Sequence, residues 1–114
     1  MLPTLKSYPN LVAHILRYEH WVRGEVEQHK ATVQLADGSR LHLNEVWVAG
    51  HLQKYAYYWL TPTDEIIRGW DNAPHHPEVD TYPHHVHHAG TIYSSSIRSL
   101  QDVLVLLKRH ILEQ

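Results

Sequence analysis

Hydrophobic and polar residues alternate along much of the chain, and the alternation predicts four or five β-strands. Ala31, Val33 and Leu35 are separated by polar residues, and the pattern resumes at Leu41 after the turn sequence Asp37-Gly38-Ser39. That tripeptide is typical of a tight turn because glycine adopts positive φ without strain. This part of the chain therefore predicts a β-hairpin.

A second hairpin follows directly. Tyr55, Tyr57 and Trp59 alternate with the residues between them until the sequence TPTD at 61–64 interrupts the pattern. Proline cannot donate to a sheet ladder, so the turn is predicted there. Residues 12–22 are rich in β-branched and aromatic types and predict one further strand, although part of their spacing also fits a helix.

The segment from residue 72 to residue 83 is predicted to be an extended, stiff loop. It contains Pro74, Pro77 and Pro83, and proline is incompatible with both a helix interior and a central strand. The loop comes directly after the last strand that the alternation predicts.

The C-terminal segment predicts a helix. Ser99 is a favourable N-cap, and Asp102 suits the positive end of the helix dipole. The apolar residues recur every three or four positions and so share one face: Ile97, Leu100, Leu104, Leu107 and Ile111. We therefore predict an α+β fold, with an antiparallel meander sheet and a C-terminal helix packed on one face, as a single domain over residues 1–114.

Composition and charge exclude several classes of protein. The chain has no cysteine, which removes disulfides, thiolate metal sites and cysteine nucleophiles together. Ten basic against twelve acidic side chains exclude a uniformly basic nucleic-acid-binding coat. The longest aliphatic run is far shorter than the roughly 20 residues that span a bilayer, and the N-terminus does not resemble a secretory signal. We expect a cytoplasmic protein without a membrane segment.

Histidine is the residue type that suggests a function. The chain has twelve histidines, and the density of six between residues 75 and 88 exceeds what packing requires. The other six are scattered along predicted strands, turns and the helix end, and we expect them to be structural or solvated: His14, His20, His29, His42, His51 and His110.

One chemistry open to the histidine-rich segment is general acid–base catalysis. In metal-free RNA cleavage one group takes the 2′-hydroxyl proton, another protonates the leaving oxygen, and cations steady the phosphate. In this hypothesis Asp71 orients an imidazole, Arg68 and Lys54 bind phosphate, and Tyr82 is a further donor to the substrate. The predicted catalytic residues are His75, His76, His84, His85, His87 and Asp71.

A second chemistry is metal binding. If residues 84–88 are extended, His85 and His87 point to the same face of the strand. A third ligand from His75, His76, Asp71 or Asp80 would complete a site for a divalent transition metal such as zinc. We name His85, His87 and His75 as the ligands of this alternative, whereas the acid–base hypothesis requires no cofactor.

Two further alternatives involve no catalysis. Residues 61–90 carry Arg68 as their only lysine or arginine against five acidic residues, so protonation of their six histidines would reverse the charge of this segment. Alternatively, the histidine-rich loop and the C-terminal helix hold a protein partner.

Two motifs carry a resemblance to a known family. The sequences DNAPHHP at 71–77 and PHHVH at 83–87, between a Lys-Tyr-x-Tyr-x-Trp strand and a Ser-capped helix, resemble the TumE-like toxins of bacterial and archaeal toxin–antitoxin modules. The resemblance covers roughly residues 30–106. It implies a small intracellular toxin with a cognate antitoxin as its partner. RNA as the target is an analogy with other small toxins of similar architecture. An open sheet edge and the broad apolar helix face are also compatible with a homodimer.

Overall fold

The antiparallel sheet is larger than the sequence indicates. The computed structural model describes residues 1–113, in which seven strands pair in the order in which they occur along the chain. The elements are α1 (Leu2–Lys6), β1 (Val12–Arg23), β2 (Val26–Leu35), β3 (Arg40–Val48), β4 (His51–Leu60), β5 (Ile66–Asp71), β6 (His85–His88), β7 (Thr91–Ser94) and α2 (Leu100–Leu112).

The α+β class and the meander are confirmed, but the prediction of four or five strands is wrong. The strands that it missed are β6 and β7, which have four residues each. Strand β6 lies in the histidine-rich segment, where no alternation of hydrophobic residues indicates a strand. Its formation depends on pairing with β5, which a local pattern does not show. Ala89 and Gly90 form the turn between β6 and β7 with positive φ angles of 50° and 76°.

Both predicted turns are confirmed. Gly38 has a φ of 88°, and Asp37 Oδ1 accepts a hydrogen bond from the backbone N–H of Ser39 at 3.0 Å. In the second turn Thr61 Oγ1 accepts from the backbone N–H of Glu65, also at 3.0 Å. These side-chain bonds to backbone are the reason that short polar residues favour turns.

The C-terminal helix begins where its cap was predicted. The Ser99 side chain accepts from the backbone N–H of Asp102. Helix α2 contributes Val103, Leu104 and Leu107, each with no exposed surface, to the same core as the sheet. Within residues 1–113 no helix is both long enough and apolar enough to cross a membrane.

The sheet has one face covered by α2 and one open face. Tyr55, Tyr57 and Trp59 alternate onto the covered face, where each is at least 96% buried. Tyr58 alternates onto the open face together with Ala56. Strand register then aligns two rows of residues on the open face: Ala56, Asp71 and His85 in one row, and Tyr58, Gly69 and His87 in the next.

Candidate functional site: a histidine–aspartate cluster on the open face

The candidate site forms where the chain leaves β5 and returns as β6. The intervening loop is anchored at both ends. Asn72 accepts a hydrogen bond from the backbone N–H of Tyr55 at 3.0 Å, and its side-chain amide donates to the carbonyl of Gln53 at 3.1 Å. Near the other end Thr81 Oγ1 donates to the carbonyl of His84 at 2.6 Å and accepts from the backbone N–H of Ser95 at 2.9 Å. These bonds fix the path of the loop beside the strands.

Four side chains converge there, and we call Asp71, His76, His85 and His87 the histidine–aspartate cluster. Asp71 Oδ1 lies 2.9 Å from His85 Nε2, and Asp71 Oδ2 lies 3.1 Å from His87 Nε2. The two Nε2 atoms are 3.1 Å apart. His85 is 99% buried, whereas the His87 side chain keeps 31% of its surface exposed. The cluster is therefore buried at His85 and accessible to solvent at His87.

The proton positions in the cluster follow from its outer contacts. His85 Nδ1 lies 2.9 Å from the carbonyl oxygen of Pro83, which only accepts, so Nδ1 carries a hydrogen and Nε2 faces the cluster. With both imidazoles neutral, at most one hydrogen, that of His87 Nε2, is available for the three close contacts among Asp71, His85 and His87. An additional proton or a metal cation would satisfy the remaining lone pairs.

Tyr58 holds the carboxylate from the neighbouring strand. Its hydroxyl donates to Asp71 Oδ2 at 3.2 Å, and the backbone N–H of Ala73 donates to Oδ1 at 2.9 Å. Burial, with the adjacent Asp71 as a smaller contribution, raises the pKa of Tyr58 to about 12, so the phenol remains a donor at neutral pH. The ring lies over Gly69, and a Cβ atom there would come within 2.3 Å of Tyr58 Cε1.

His76 reaches the cluster from the loop. It offers a ligand atom within 4.8 Å of those of His85 and His87, and its ring meets the His85 ring edge to face at a centroid distance of 4.8 Å. His76 Nδ1 lies 3.1 Å from Glu78 Oε1. A backbone hydrogen bond, and then the bond with His76, lower the pKa of Glu78, so this carboxylate is charged and able to orient the imidazole.

Two shallow depressions on the open face lead to the cluster, and we call them together the trough. One of about 350 Å³ contains Arg17, Lys30 and Tyr58 in its lining. The other, of about 500 Å³, is lined by Lys54, Asp71 and neighbouring residues. The two share Asn44 and Ala56, so they adjoin on the open face, and Asp71 is the cluster residue that lines the second.

A family model described as Toxin TumE matches residues 10–114, nearly the whole chain. The chain belongs to the Toxin TumE family. This membership confirms the resemblance inferred from the two histidine motifs. It identifies the protein as a toxin component of a toxin–antitoxin module and, in general terms, implies an antitoxin partner. No curated protein and no solved structure matches the chain significantly.

In this TumE-family chain the predicted site residues divide between the two faces of the sheet. His84 lies on the covered face, where its ring stacks on Tyr55 and its Nδ1 lies 2.8 Å from the Tyr55 hydroxyl. That hydroxyl donates to the carbonyl of Ile97, so His84 is the donor in the contact and links the loop to the start of α2. Strand alternation also places Arg68 on the face opposite Asp71. Neither residue reaches the cluster.

The other predicted residues lie near the cluster or outside it. His75 and Lys54 line the trough beside Asp71. The loop histidine whose ring nitrogen lies within 4.8 Å of those of His85 and His87 is His76 rather than His75. Tyr82 is 46% exposed on the loop. The phenol that donates to Asp71 is that of Tyr58, a residue that the sequence analysis did not name. Alternation already assigned Tyr58 to the face opposite the core, but its proximity to Asp71 depends on the register between β4 and β5.

Two kinds of chemistry are compatible with the cluster. A proton shared among Asp71, His85 and His87 gives the arrangement used in general acid–base catalysis, in which a carboxylate orients an imidazole. The spacing is also compatible with a metal, because tetrahedral zinc with bonds of about 2.0–2.1 Å separates its ligand atoms by about 3.3 Å. The contacts of His85 with the Pro83 carbonyl and of His76 with Glu78 would then orient the two ligands.

Proposed function

We propose that the chain is a toxin that acts on RNA, with the trough as the RNA-binding surface and the histidine–aspartate cluster as the group that transfers protons. The observation that carries the proposal is the convergence of Asp71, His85 and His87 at one end of a trough that contains basic side chains. Membership of a toxin family supports the toxic role, and the cluster supports the chemistry.

The exposure of each imidazole divides the roles within the cluster. The side chains of His76 and His87 are 28% and 31% exposed, so they can touch a substrate. We propose that one of these two imidazoles is the base that takes the 2′-hydroxyl proton and that the other is the acid that protonates the leaving oxygen. His85 is buried and, with Asp71, holds the accessible imidazole of His87 in position.

The trough supplies contacts for the RNA backbone. Lys54 lies beside Asp71 in the lining, and Arg17 and Lys30 lie farther along the same surface. Three cations along the lining of the trough suit a phosphate backbone without requiring the whole protein to be basic. Arg17 is paired with Glu19, so phosphate would compete with that carboxylate.

The test is an RNA cleavage assay with tag-free protein in a chelating buffer between pH 5.5 and pH 8. We expect cleavage of cellular or transfer RNA, and a loss of about 10²- to 10⁴-fold in rate for His87→Ala. His51→Ala is the matched control because His51 is exposed at the start of β4, away from the cluster. Intact RNA in every sample, while a reference ribonuclease cleaves it, would contradict the proposal.

A metal-dependent hydrolase is the second candidate, and the surplus of lone pairs in the cluster favours it. His76, His85 and His87 would hold the ion, with Asp71 as a further ligand or an orienting group. A divalent ion there would activate water and polarise a phosphoryl oxygen. In this case the same RNA assay is active with added zinc and inactive in chelator, whereas acid–base catalysis without metal is unaffected by the chelator.

A further inference from the structure

Three further metal-ligating side chains meet on the hairpin formed by β1 and β2, and we call His20, Glu27 and His29 the hairpin cluster. His20 and His29 are directly opposite each other, and their rings stack at a centroid distance of 4.2 Å with an interplanar angle of 10°. Glu27 Oε2 lies 3.0 Å from His20 Nε2 and 3.4 Å from His29 Nε2. Both imidazoles therefore direct the same ring atom to one carboxylate oxygen.

The hairpin cluster is on the other face of the sheet from the histidine–aspartate cluster. Tyr18 pairs with Ala31, a core residue under α2, and His20 follows two positions later on the same face of β1. Asp71 and His85 lie on the open face. The two clusters share no residue. Because they lie on opposite faces, the sheet separates a ligand bound at one cluster from the other cluster.

The surroundings of the hairpin cluster fix its geometry. The Tyr18 hydroxyl lies 2.8 Å from His29 Nδ1, which orients the ring so that Nε2 faces Glu27. Glu45 is the cross-strand partner of His29 on β3, and it is 96% buried. Its carboxylate accepts hydrogen bonds from Trp47 Nε1 and the Tyr57 hydroxyl, so it is held in place near the histidines.

We infer that the hairpin cluster is a second site, which binds a divalent transition metal such as zinc through His20, Glu27 and His29. Two imidazoles and one carboxylate form a three-ligand set that zinc accepts with a fourth position open. Because the two rings are parallel, the exposed His20 ring would turn away from its stack on His29 to direct both Nε2 lone pairs at one ion. Here the open position faces solvent, because the His20 and Glu27 side chains are 37% and 42% exposed. The orientation of His29 by Tyr18 is the outer contact that metal-binding histidines usually have.

The test measures zinc binding by metal-free, tag-free protein. The background chain carries His76→Ala and His87→Ala, which remove two accessible ligands from the open face. In that background we expect one zinc ion per chain and a rise in melting temperature when zinc is added. Adding His20→Ala or Glu27→Gln is expected to weaken zinc binding at least tenfold. The matched control is His14→Ala, an exposed histidine on the same strand, which is expected to leave zinc binding unchanged.

Circular dichroism and melting without zinc check that each variant folds. Because His20 and Glu27 are partly exposed, we expect both substitutions to leave the fold intact. The inference is overturned if the background chain binds no zinc. It is also overturned if zinc binds but neither His20→Ala nor Glu27→Gln weakens the binding. Neither result bears on RNA cleavage, which depends on the other face.

Discussion

Asp71 and His85 are directly opposed on neighbouring strands, with Oδ1 of the carboxylate 2.9 Å from Nε2 of the imidazole. The pairing is buried, since His85 is 1% and Asp71 8% exposed. Strands β5 and β6 flank the loop that carries His76, so the pairing of Asp71 with His85 places the cluster residues close together. A change at Asp71 is therefore expected to affect both the fold and the reaction.

Asp71→Asn replaces one oxygen that faces the imidazoles with an amide group. We expect a loss of about 1–3 kcal/mol in the free energy of unfolding, because a buried hydrogen-bond partner is lost. Urea denaturation measures this loss, and RNA cleavage by the same sample is expected to fall with it. Asp80→Asn, on the same loop and outside the cluster, is the control. Equal stability of the two variants would show that the Asp71 contacts contribute nothing.

Gly69→Ala tests the position of the Tyr58 ring. The added Cβ would come within 2.3 Å of Tyr58 Cε1, so the ring is expected to move and its bond to Asp71 to break. We expect a cost of about 1–3 kcal/mol from overpacking. In a Tyr58→Ala background the same substitution is expected to cost much less, and a double-mutant cycle from urea denaturation measures the difference. Equal costs in the two backgrounds would contradict the contact.

The pH dependence of stability is expected to reflect His84. Burial, followed by the charge of Arg98 and the presence of His85, lowers the pKa of His84 from 6.5. The unfolded chain therefore takes up a proton at higher pH than the folded chain. Stability that is fully present above pH 6.5 is lost as the pH falls through the folded-state pKa.

Urea midpoints at pH 7.5 and pH 5 measure this effect, and we expect the wild type to lose more stability than His84→Gln between them. Burial also lowers the pKa of His29, which acts in the same direction and remains in the variant. His51→Gln controls for the loss of an exposed histidine. If His84→Gln and the wild type lose the same stability between pH 7.5 and pH 5, the pH dependence does not come from His84.

Leu107→Ala tests the packing of α2 on the sheet. The side chain has no exposed surface, so its truncation leaves a cavity that is expected to cost about 2–5 kcal/mol. Val105→Ala on the same helix is the control, because Val105 is 38% exposed and should cost far less. Thermal or urea denaturation measures the loss of stability in each variant. A similar loss in Leu107→Ala and Val105→Ala would contradict the packing of α2 on the sheet.

The elements with strong local signals were predictable from the sequence. The alternation of Tyr55, Tyr57 and Trp59, the turn at Gly38 and the cap at Ser99 depend only on residues close in the chain, and all are confirmed. Strands β6 and β7 were missed because each has only four residues. Strand β6 forms through a long-range pairing with β5, and β7 in turn pairs with β6.

The candidate site was predictable only in part for the same reason. The two-residue period of a strand correctly placed His85 and His87 on one face. It placed His84 on the opposite face by the same rule, so His84 could have been separated from the others in advance. The positions of Asp71 and Tyr58 depend on strand register, and the proximity of His76 depends on the path of the loop. Local sequence specifies neither.

The most direct test of the central claim is growth of a bacterial host after controlled induction of the chain. The wild type and His51→Ala are expected to arrest growth, whereas His76→Ala/His87→Ala is expected to permit it, with all three proteins accumulating in folded form. That result would make the histidine–aspartate cluster necessary for toxicity. Arrest by the cluster variant equal to that of the wild type, or normal growth with the wild type itself, would contradict the account.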